Sequence, residues 1–267
     1  MNAPAAGVRA IAWPLLGVAI VLGTWQIGVM MSGVAPYLLP APTAIARAMW
    51  ESRDMLAAAM GRTALGAAVG FTCAAVAGIL LGSVIALIPL LRRSLYPLAT
   101  VLQMVPVVAV APLLQLWVDN GLPMAILSAA IVALFPVLAA TIDGQASVDP
   151  GLRELLKLYG ASALRRWWKL DFPWSVPATV TGLRIAAGLA VIGAVVGEFV
   201  SGYGGTRAPL GIVIQAAMRD ARTDLVFAAV ALTTVVGFAL FGAVSLVGWL
   251  LVRRWHASAV NESEDRR

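Results

Sequence analysis

The sequence predicts an all-α integral membrane protein of about six transmembrane helices, with a long cytoplasmic connection between the fourth and the fifth. Hydrophobic residues make up 61% of the chain and charged residues only 12%, whereas soluble domains are about half apolar and about a quarter charged. The apolar residues also fall into runs of about 20, the length that a helix needs to cross the hydrocarbon core. Residues 1–267 are therefore expected to form a single transmembrane domain with short cytoplasmic tails at both ends.

Six apolar runs are long enough to be membrane spans. The first is about twice as long as the apolar region of a secretory signal peptide, so an uncleaved span is favoured. Pro106 and Pro112 lie in the third run and are expected to kink it. A short turn sequence at 119–123, DNGLP, separates the third run from the fourth, so these two runs predict a helical hairpin. The predicted spans are residues 11–31, 63–88, 98–118, 124–142, 176–200 and 226–252.

The distribution of basic residues predicts the orientation of these spans. If the N-terminus is cytoplasmic, the cytoplasmic segments hold 12 lysine and arginine residues and the outer segments hold 6. Cytoplasmic loops of membrane proteins carry such an excess of positive charge, so both termini are expected in the cytoplasm. The same bias accounts for the net charge of +6 without a soluble basic domain, and no nucleic-acid partner is expected.

The polar residues argue against several kinds of catalytic site. The chain has one cysteine, Cys73, and one histidine, His256, so neither a Cys/His metal cluster nor a Ser-His-Asp triad is expected. No G-x-x-x-x-G-K-[S/T] sequence occurs, and the GYGGTR stretch does not complete a G-x-G-x-x-G motif. The chain therefore has no phosphate-binding loop of its own. We predict that it is not an enzyme and holds neither a metal nor a cofactor.

Two outer segments are predicted to be short helices rather than loops. Residues 42–60 carry apolar residues at helical spacing with Arg53 and Asp54 between them, which is typical of an interfacial amphipathic helix. Residues 208–218 form an apolar run too short to cross the membrane. We expect a re-entrant or interfacial helix there, covered by protein or lining a cavity.

Small residues recur within the second and fifth spans. They include the pairs Gly66/Gly70 and Gly78/Gly82, and a series of glycines in the fifth span at 182, 188, 193 and 197. Small residues let helix backbones approach closely in lipid. Ordinary packing within the chain is the favoured explanation, and the spans that carry these residues are candidates for a contact between two copies.

The connection at 148–173 is unusually charged and aromatic for this chain. Asp149 is a candidate N-cap and Pro150 a first helical residue. Gly160 is expected to end this helix. A second short helix is predicted at 161–170, carrying Arg165, Arg166 and Lys169, with Pro173 closing it before the fifth span. Such a segment either lies on the membrane surface, its cations near anionic lipid, or docks into a cytoplasmic partner.

The spacing of this connection resembles a known loop. Glu154-Leu155-Leu156 is followed by three residues and Gly160, then by nine residues and Leu170, and then by Phe172-Pro173. This pattern is similar to the EAA…G…I-x-L-P loop of binding-protein-dependent ABC importer permeases, with leucine in place of two alanines and L-x-F-P at its end. The stretches LLPAPTAIARAMW, VPVVAVAPLLQLW and GLRIAAGLAVIGAVVGEFV resemble the nitrate, taurine and sulfonate branch of that family. The VDNG sequence after Trp117 departs from the apolar turn that is common there.

The resemblance implies several partner proteins and a location in a bacterial membrane. The loop would dock on a separate ATPase, which would carry the ATP and Mg²⁺. It also implies a second permease copy in a homodimer, two ATPase subunits, an extracytoplasmic substrate-binding protein, the surrounding membrane lipid, and a bacterial inner membrane. The residues expected to contact the ATPase or shape its docking loop are Glu154, Gly160, Leu164, Trp167, Trp168 and Pro173.

The expected substrate is a small anion such as a sulfonate, taurine, nitrate or bicarbonate. A thiamine or riboflavin precursor is an alternative. An ion-coupled secondary transporter is less favoured, because the spans hold few ionisable residues. Gln103, Met104, Glu198 and Gln215 are candidates for the path or its gate. Glu198 is expected to pair with a cation such as Arg207 or to hold the outer gate closed, unless it only extends to the outer interface.

Overall fold

A computed structural model describes residues 3–202 and 208–252, and every regular element in these ranges is helical. The all-α prediction is therefore confirmed. The helices are α1 (Ala3–Ser32), α2 (Pro42–Glu51), α3 (Arg53–Leu87), α4 (Pro89–Leu102), α5 (Val107–Leu114), α6 (Leu122–Ala146), α7 (Pro150–Leu158), α8 (Ala163–Arg166), α9 (Phe172–Ser201), α10 (Leu210–Arg219) and α11 (Thr223–Val252). A π-helical turn, Trp167–Asp171, joins α8 to α9.

Within the described residues, five helical segments are long and apolar enough to cross a membrane. They correspond to the first, second, fourth, fifth and sixth predicted spans, although several extend well beyond the predicted ends. The segments are Leu15–Ser32, Arg53–Leu87, Leu122–Ala146, Ala163–Ser201 and Thr223–Val252.

The third predicted span, 98–118, is not one helix. Two shorter helices, α4 and α5, replace it, and the chain between them is non-helical from Gln103 to Pro106. Pro106 has ψ of 115°, which is extended backbone. Proline lacks the N–H that a continuing helix would need and also disfavours the helical conformation of the residue before it. The predicted kink is therefore a break, whereas Pro112 is accommodated inside α5.

The predicted interfacial helix at 42–60 is also divided. Helix α2 ends at Glu51, Ser52 interrupts it, and α3 begins at Arg53. Residues 53–60 therefore belong to a helix of 35 residues. The charges near its start lower the hydropathy of residues 53–62, so the apolar run at 63–88 marks only part of this helix.

The centre of the bundle is formed by α3, α6 and α9 in close backbone contact. A Cβ added at Gly193 would lie 2.7 Å from the carbonyl oxygen of Ser128, and one at Gly70 would lie 2.5 Å from the Cβ of Ala129. Gly197 and Gly182 likewise meet the backbone of α6. These positions need glycine because the facing helix leaves no room for a side chain.

The recurring glycines are therefore used inside one chain. Ordinary helix packing, the favoured explanation, accounts for the positions that face α6. A contact between copies through other faces of these spans stays a prediction. Gly188 differs, because an added Cβ there has no atom within 4 Å.

Helix α10 fulfils the prediction of a short helix in the second outer segment. It packs against α3, α9 and α11, and its residues Leu210–Ile214 and Ala217 are buried. Its backbone is thus covered by protein, as expected. Its position relative to a bilayer stays a prediction.

Candidate functional site

The first half of the central loop, residues 148–173, folds as the sequence predicts. The Asp149 carboxylate accepts a hydrogen bond of 2.6 Å from the Gly151 N–H, which caps α7. Gly160 has φ of +72°, and the next N–H, of Ala161, donates back to the Leu156 carbonyl at 3.0 Å. This closure needs a left-handed residue, so glycine ends α7 as expected.

The second half of the loop differs from the prediction. Helix α8 has only four residues, and the π turn that follows continues directly into α9. The Phe172 N–H donates to the Trp167 carbonyl, five residues earlier. Pro173 lies in the first turn of α9. It does not separate the loop from the span, because the π turn continues directly into this helix. Helical structure therefore runs unbroken from Ala163 to Ser201.

The loop exposes several large apolar side chains. Leu158 is 86% exposed and Trp168 is 59% exposed, and Tyr159 and Leu164 are exposed as well. Glu154 and Gly160 also lie on the surface. We call this set, Glu154, Leu158, Tyr159, Gly160, Leu164 and Trp168, the docking face. Exposed apolar patches of this kind mark contacts with another protein or with a membrane.

Trp167 and Pro173, which the sequence grouped with that face, are only partly exposed. The Trp167 ring packs edge-on against Trp168, with centroids 4.9 Å apart, and against Phe172 at 5.2 Å. These aromatic contacts brace the π turn and hold Trp168 outward.

Arg153 connects the loop to the membrane helices. Its Nε donates to the Asp171 carboxylate at 2.8 Å, and its Nη2 donates to the Gln145 carbonyl at the end of α6. The Gln145 side chain in turn donates to the Ser83 hydroxyl in α3 at 2.8 Å. No role for Arg153 was predicted from the sequence. Its partners are distant in the chain, and no local pattern identifies them.

At the other end of the molecule, Glu198 is buried, with 2% of its surface exposed. Its carboxylate accepts hydrogen bonds from the Gly211 N–H at 2.8 Å and from the Thr63 hydroxyl at 3.1 Å. The Thr63 hydroxyl accepts one from the Leu210 N–H at 3.0 Å. Glu198 therefore satisfies the first turn of α10, where the helix dipole also favours a negative charge.

This geometry decides between the expectations for Glu198. The carboxylate does not extend to the outer interface, so that alternative is wrong. The suggested partner Arg207 lies outside the described residues. Gln215 donates from its side chain to the Phe199 carbonyl at 2.8 Å, so the two predicted gate residues both join α10 to α9.

Gln103 and Met104 lie elsewhere, at the break between α4 and α5. They border a cavity of about 510 Å³ with walls formed by α5, α6 and α9. Apart from Gln103, the residues that line it in the described structure are apolar or proline, and none is charged. Glu198 borders a second cavity, of about 420 Å³, together with Arg62 and Asn120. The four predicted path residues thus fall into two separate places.

Within the described residues, five apolar helical segments and a buried short helix define a polytopic membrane protein. The chain belongs to the family described as binding-protein-dependent transport system inner membrane component, whose model matches residues 74–251. The resemblance inferred from the loop spacing is thereby confirmed. The chain is a permease subunit, helical and multi-pass, of an inner membrane. Membership of this family implies an ATPase and a substrate-binding protein as partners.

Curated relatives cover most of the chain. It is 36% identical to the riboflavin transport system permease protein of Chloroflexus aurantiacus, over 92% of both chains. It is 31% identical to the formylaminopyrimidine transport permease protein of Halalkalibacterium halodurans, over 86% of this chain and 91% of that one. It is 28% identical to the taurine transport system permease protein of Escherichia coli K12, over 83% and 82%.

Proposed function

We propose that two copies of this chain form the transmembrane path of an ATP-binding-cassette importer. Each copy docks one ATPase subunit on its cytoplasmic side and receives solute from an extracytoplasmic binding protein. ATP and Mg²⁺ are held by the ATPase, and both termini of the permease lie in the cytoplasm. The observation that carries the proposal is the exposed docking face on a loop that is continuous with a membrane helix.

The docking face supports the ATPase contact over a membrane-surface role. A surface helix would bury its apolar side chains in the lipid interface and direct its cations to the headgroups. Here the exposed Trp168 lies between Arg165 and Lys169 in the sequence, so apolar and charged side chains are interspersed and not separated onto two faces. A groove in a soluble partner accommodates such a mixture of apolar and charged side chains.

An ion-coupled transporter is a weaker explanation. Such a protein needs ionisable side chains free to bind the coupling ion within the membrane. The buried carboxylate of Glu198 already accepts two hydrogen bonds that hold α10.

The cavity at the helix break is the proposed solute path. Non-helical backbone at membrane depth is tolerated where protein or a water-filled cavity covers it. Its volume of about 510 Å³ lies within the range of small-molecule sites, roughly 300–1,000 Å³. Gln103 offers one amide to a solute there, and Met104 offers a flexible apolar surface.

The lining of this cavity favours an uncharged nitrogen heterocycle as the solute. Its walls provide apolar contact and a single amide, which suit a flat ring system with a few hydrogen-bonding groups. Relatives named for riboflavin and for formylaminopyrimidine, at 36% and 31% identity, support this class. A small anion is the second candidate, because Arg62 borders the other cavity and a relative is named for taurine.

Uptake into proteoliposomes tests both the class of protein and the solute. The chain would be reconstituted with its ATPase and binding protein, and labelled riboflavin, formylaminopyrimidine, taurine and nitrate would be supplied separately. We expect uptake of a heterocycle that requires both ATP and the binding protein. Uptake of taurine or nitrate alone would overturn the heterocycle assignment. Uptake driven by an ion gradient without ATP would overturn the importer.

Glu198 is the proposed latch of the outer gate, since it holds the first turn of α10 against α3 and α9. In Glu198→Gln, the neutral amide still reaches both donors but loses the charge that favours them. We expect faster ATP hydrolysis in the absence of binding protein and a smaller stimulation when it is added. Glu51→Gln is the control, because Glu51 is exposed on α2. Unchanged uptake and unchanged stimulation in Glu198→Gln would rule out the latch.

A further inference from the structure

Helix α7 carries part of the docking face but is weakly attached to the rest of the chain. It buries none of its residues. In the structure as described, Arg153 is the one α7 residue whose side chain hydrogen-bonds to another helical element. Any displacement of α7 by a docked partner must therefore reach the membrane helices mainly through Arg153 or through the two chain ends.

The Arg153 guanidinium group makes two hydrogen bonds that are partly shielded from water. One guanidinium group donates from Nε to Asp171 at 2.8 Å and from Nη2 to the Gln145 carbonyl. Its side chain is 34% exposed and that of Asp171 only 9%. The planar guanidinium fixes the direction of both hydrogen bonds, and shielding from water strengthens them. Lysine, with a single flexible ammonium group, cannot hold both partners in the same directions.

The two partners lead into different membrane helices. Asp171 ends the π turn and adjoins the start of α9. Gln145 lies in the last turn of α6 and reaches α3 through the Ser83 hydroxyl. We call Ser83, Gln145, Arg153 and Asp171 the Arg153 link. It joins α7 to all three helices at the centre of the bundle.

The Arg153 link also affects the π turn. A π turn holds one residue more than an α turn, so converting it to an α turn would rotate the preceding residues by roughly 100°. Arg165 and Trp168 would then face a different direction relative to α9. The contact between Arg153 and Asp171 holds the end of this turn against α7, and so it holds both parts of the docking face in one orientation.

We propose that Arg153 is a positioning residue that carries the movement of the docked loop to α6 and α9. It does not bind solute or nucleotide. Without it the loop still presents its docking face and the ATPase still binds, but movement of α7 is no longer passed to α6 and α9, so less solute is taken up per ATP. The inference rests on the proposed function, since it assumes that an ATPase moves the loop.

The experiment uses the whole transporter in proteoliposomes and compares Arg153→Gln with Asp171→Asn and with the double variant. Lys157→Gln is the matched control, because it removes one positive charge from the exposed side of the same helix. The readouts are the ATPase retained on purification, ATP hydrolysis with and without binding protein, and solute taken up per ATP hydrolysed.

We expect both single variants to retain the ATPase and to lower uptake per ATP by about fivefold or more, the range of a typical coupling between sites. The double variant should be no worse than Arg153→Gln alone, because Asp171→Asn removes only a contact that Arg153→Gln has already broken. Arg153→Lys should recover only part of the loss. Lys157→Gln should match the unmodified protein.

Three results would overturn the inference while leaving the importer intact. The first is normal uptake per ATP in Arg153→Gln. The second is an equal loss in Lys157→Gln, which would indicate a general charge effect. The third is failure of both single variants to fold or to retain the ATPase, which would make the link structural. If the unmodified chain itself neither binds an ATPase nor takes up solute with ATP, the proposed function fails instead.

Discussion

A tryptophan in place of Gly160 should abolish transport while leaving the membrane helices folded. Gly160 is exposed on the docking face, and a Cβ added there meets no atom of the chain within 4 Å. The indole would therefore project toward the ATPase and hold it away from α7 and α8. The positive φ adds strain of roughly 1–2 kcal/mol for a residue other than glycine. The strain is confined to the loop, so thermal unfolding of the purified permease should change little.

Two further substitutions at Gly160 distinguish the effect of side-chain size from the effect of backbone strain. Asparagine tolerates the left-handed conformation and is small, so Gly160→Asn should keep most of the uptake. Gly160→Ala introduces the strain with almost no bulk and should lie between the two. If Gly160→Trp takes up solute at the normal rate, Gly160 does not lie at the ATPase contact.

Leucine in place of Gly193 should prevent the permease from folding. A Cβ at this position would lie 2.7 Å from the Ser128 carbonyl oxygen and 2.8 Å from the Ala129 Cα. Overpacking ordinarily costs about 1–3 kcal/mol, and we expect the upper end or more because the contacted atoms belong to a helix backbone. The three remaining side-chain carbons of leucine would force α9 away from α6 along much of their length.

Gly188→Leu is the matched control for this prediction. Gly188 lies in the same helix, and an added Cβ has no neighbour within 4 Å. The measurements are the yield of monodisperse protein in detergent and its thermal unfolding temperature. Equal yields and equal unfolding temperatures for the two variants would mean that α6 and α9 are not in backbone contact at Gly193.

The parts of the fold that depend on local sequence were predictable. Long apolar runs identified the five segments that are long and apolar enough to span a membrane. Burial in lipid requires such runs, regardless of which helices pack against them. Asp149 and Gly160 identified the ends of α7, because capping and left-handed closure are made within a few residues. Pro106 was recognised as a disturbance, but whether proline kinks or breaks a helix depends on what covers the freed backbone groups.

The parts that depend on distant residues were not predictable from one sequence. Glu198 and Thr63 are 135 positions apart, and only the packing of α3 against α9 brings them together. Arg153 and Asp171 meet because a π turn, which has no reliable sequence signal, sets the direction of Asp171. The glycines were noticed in the sequence, but one sequence alone does not distinguish a contact within the chain from a contact between copies.

The unbroken helical segment from Ala163 to Ser201, 39 residues, is about 58 Å long at about 1.5 Å per residue. In the proposed orientation, with both termini in the cytoplasm, its two ends lie on opposite sides of the membrane. A tilt of about 10° around its midpoint moves each end by about 5 Å, in opposite directions. Asp171 stands near the inner end and Glu198 near the outer end, about 40 Å apart along the axis. In that orientation, a push on the cytoplasmic end of the helix reaches Glu198, which anchors α10, through the helix backbone, in parallel with the route from α7 through Arg153.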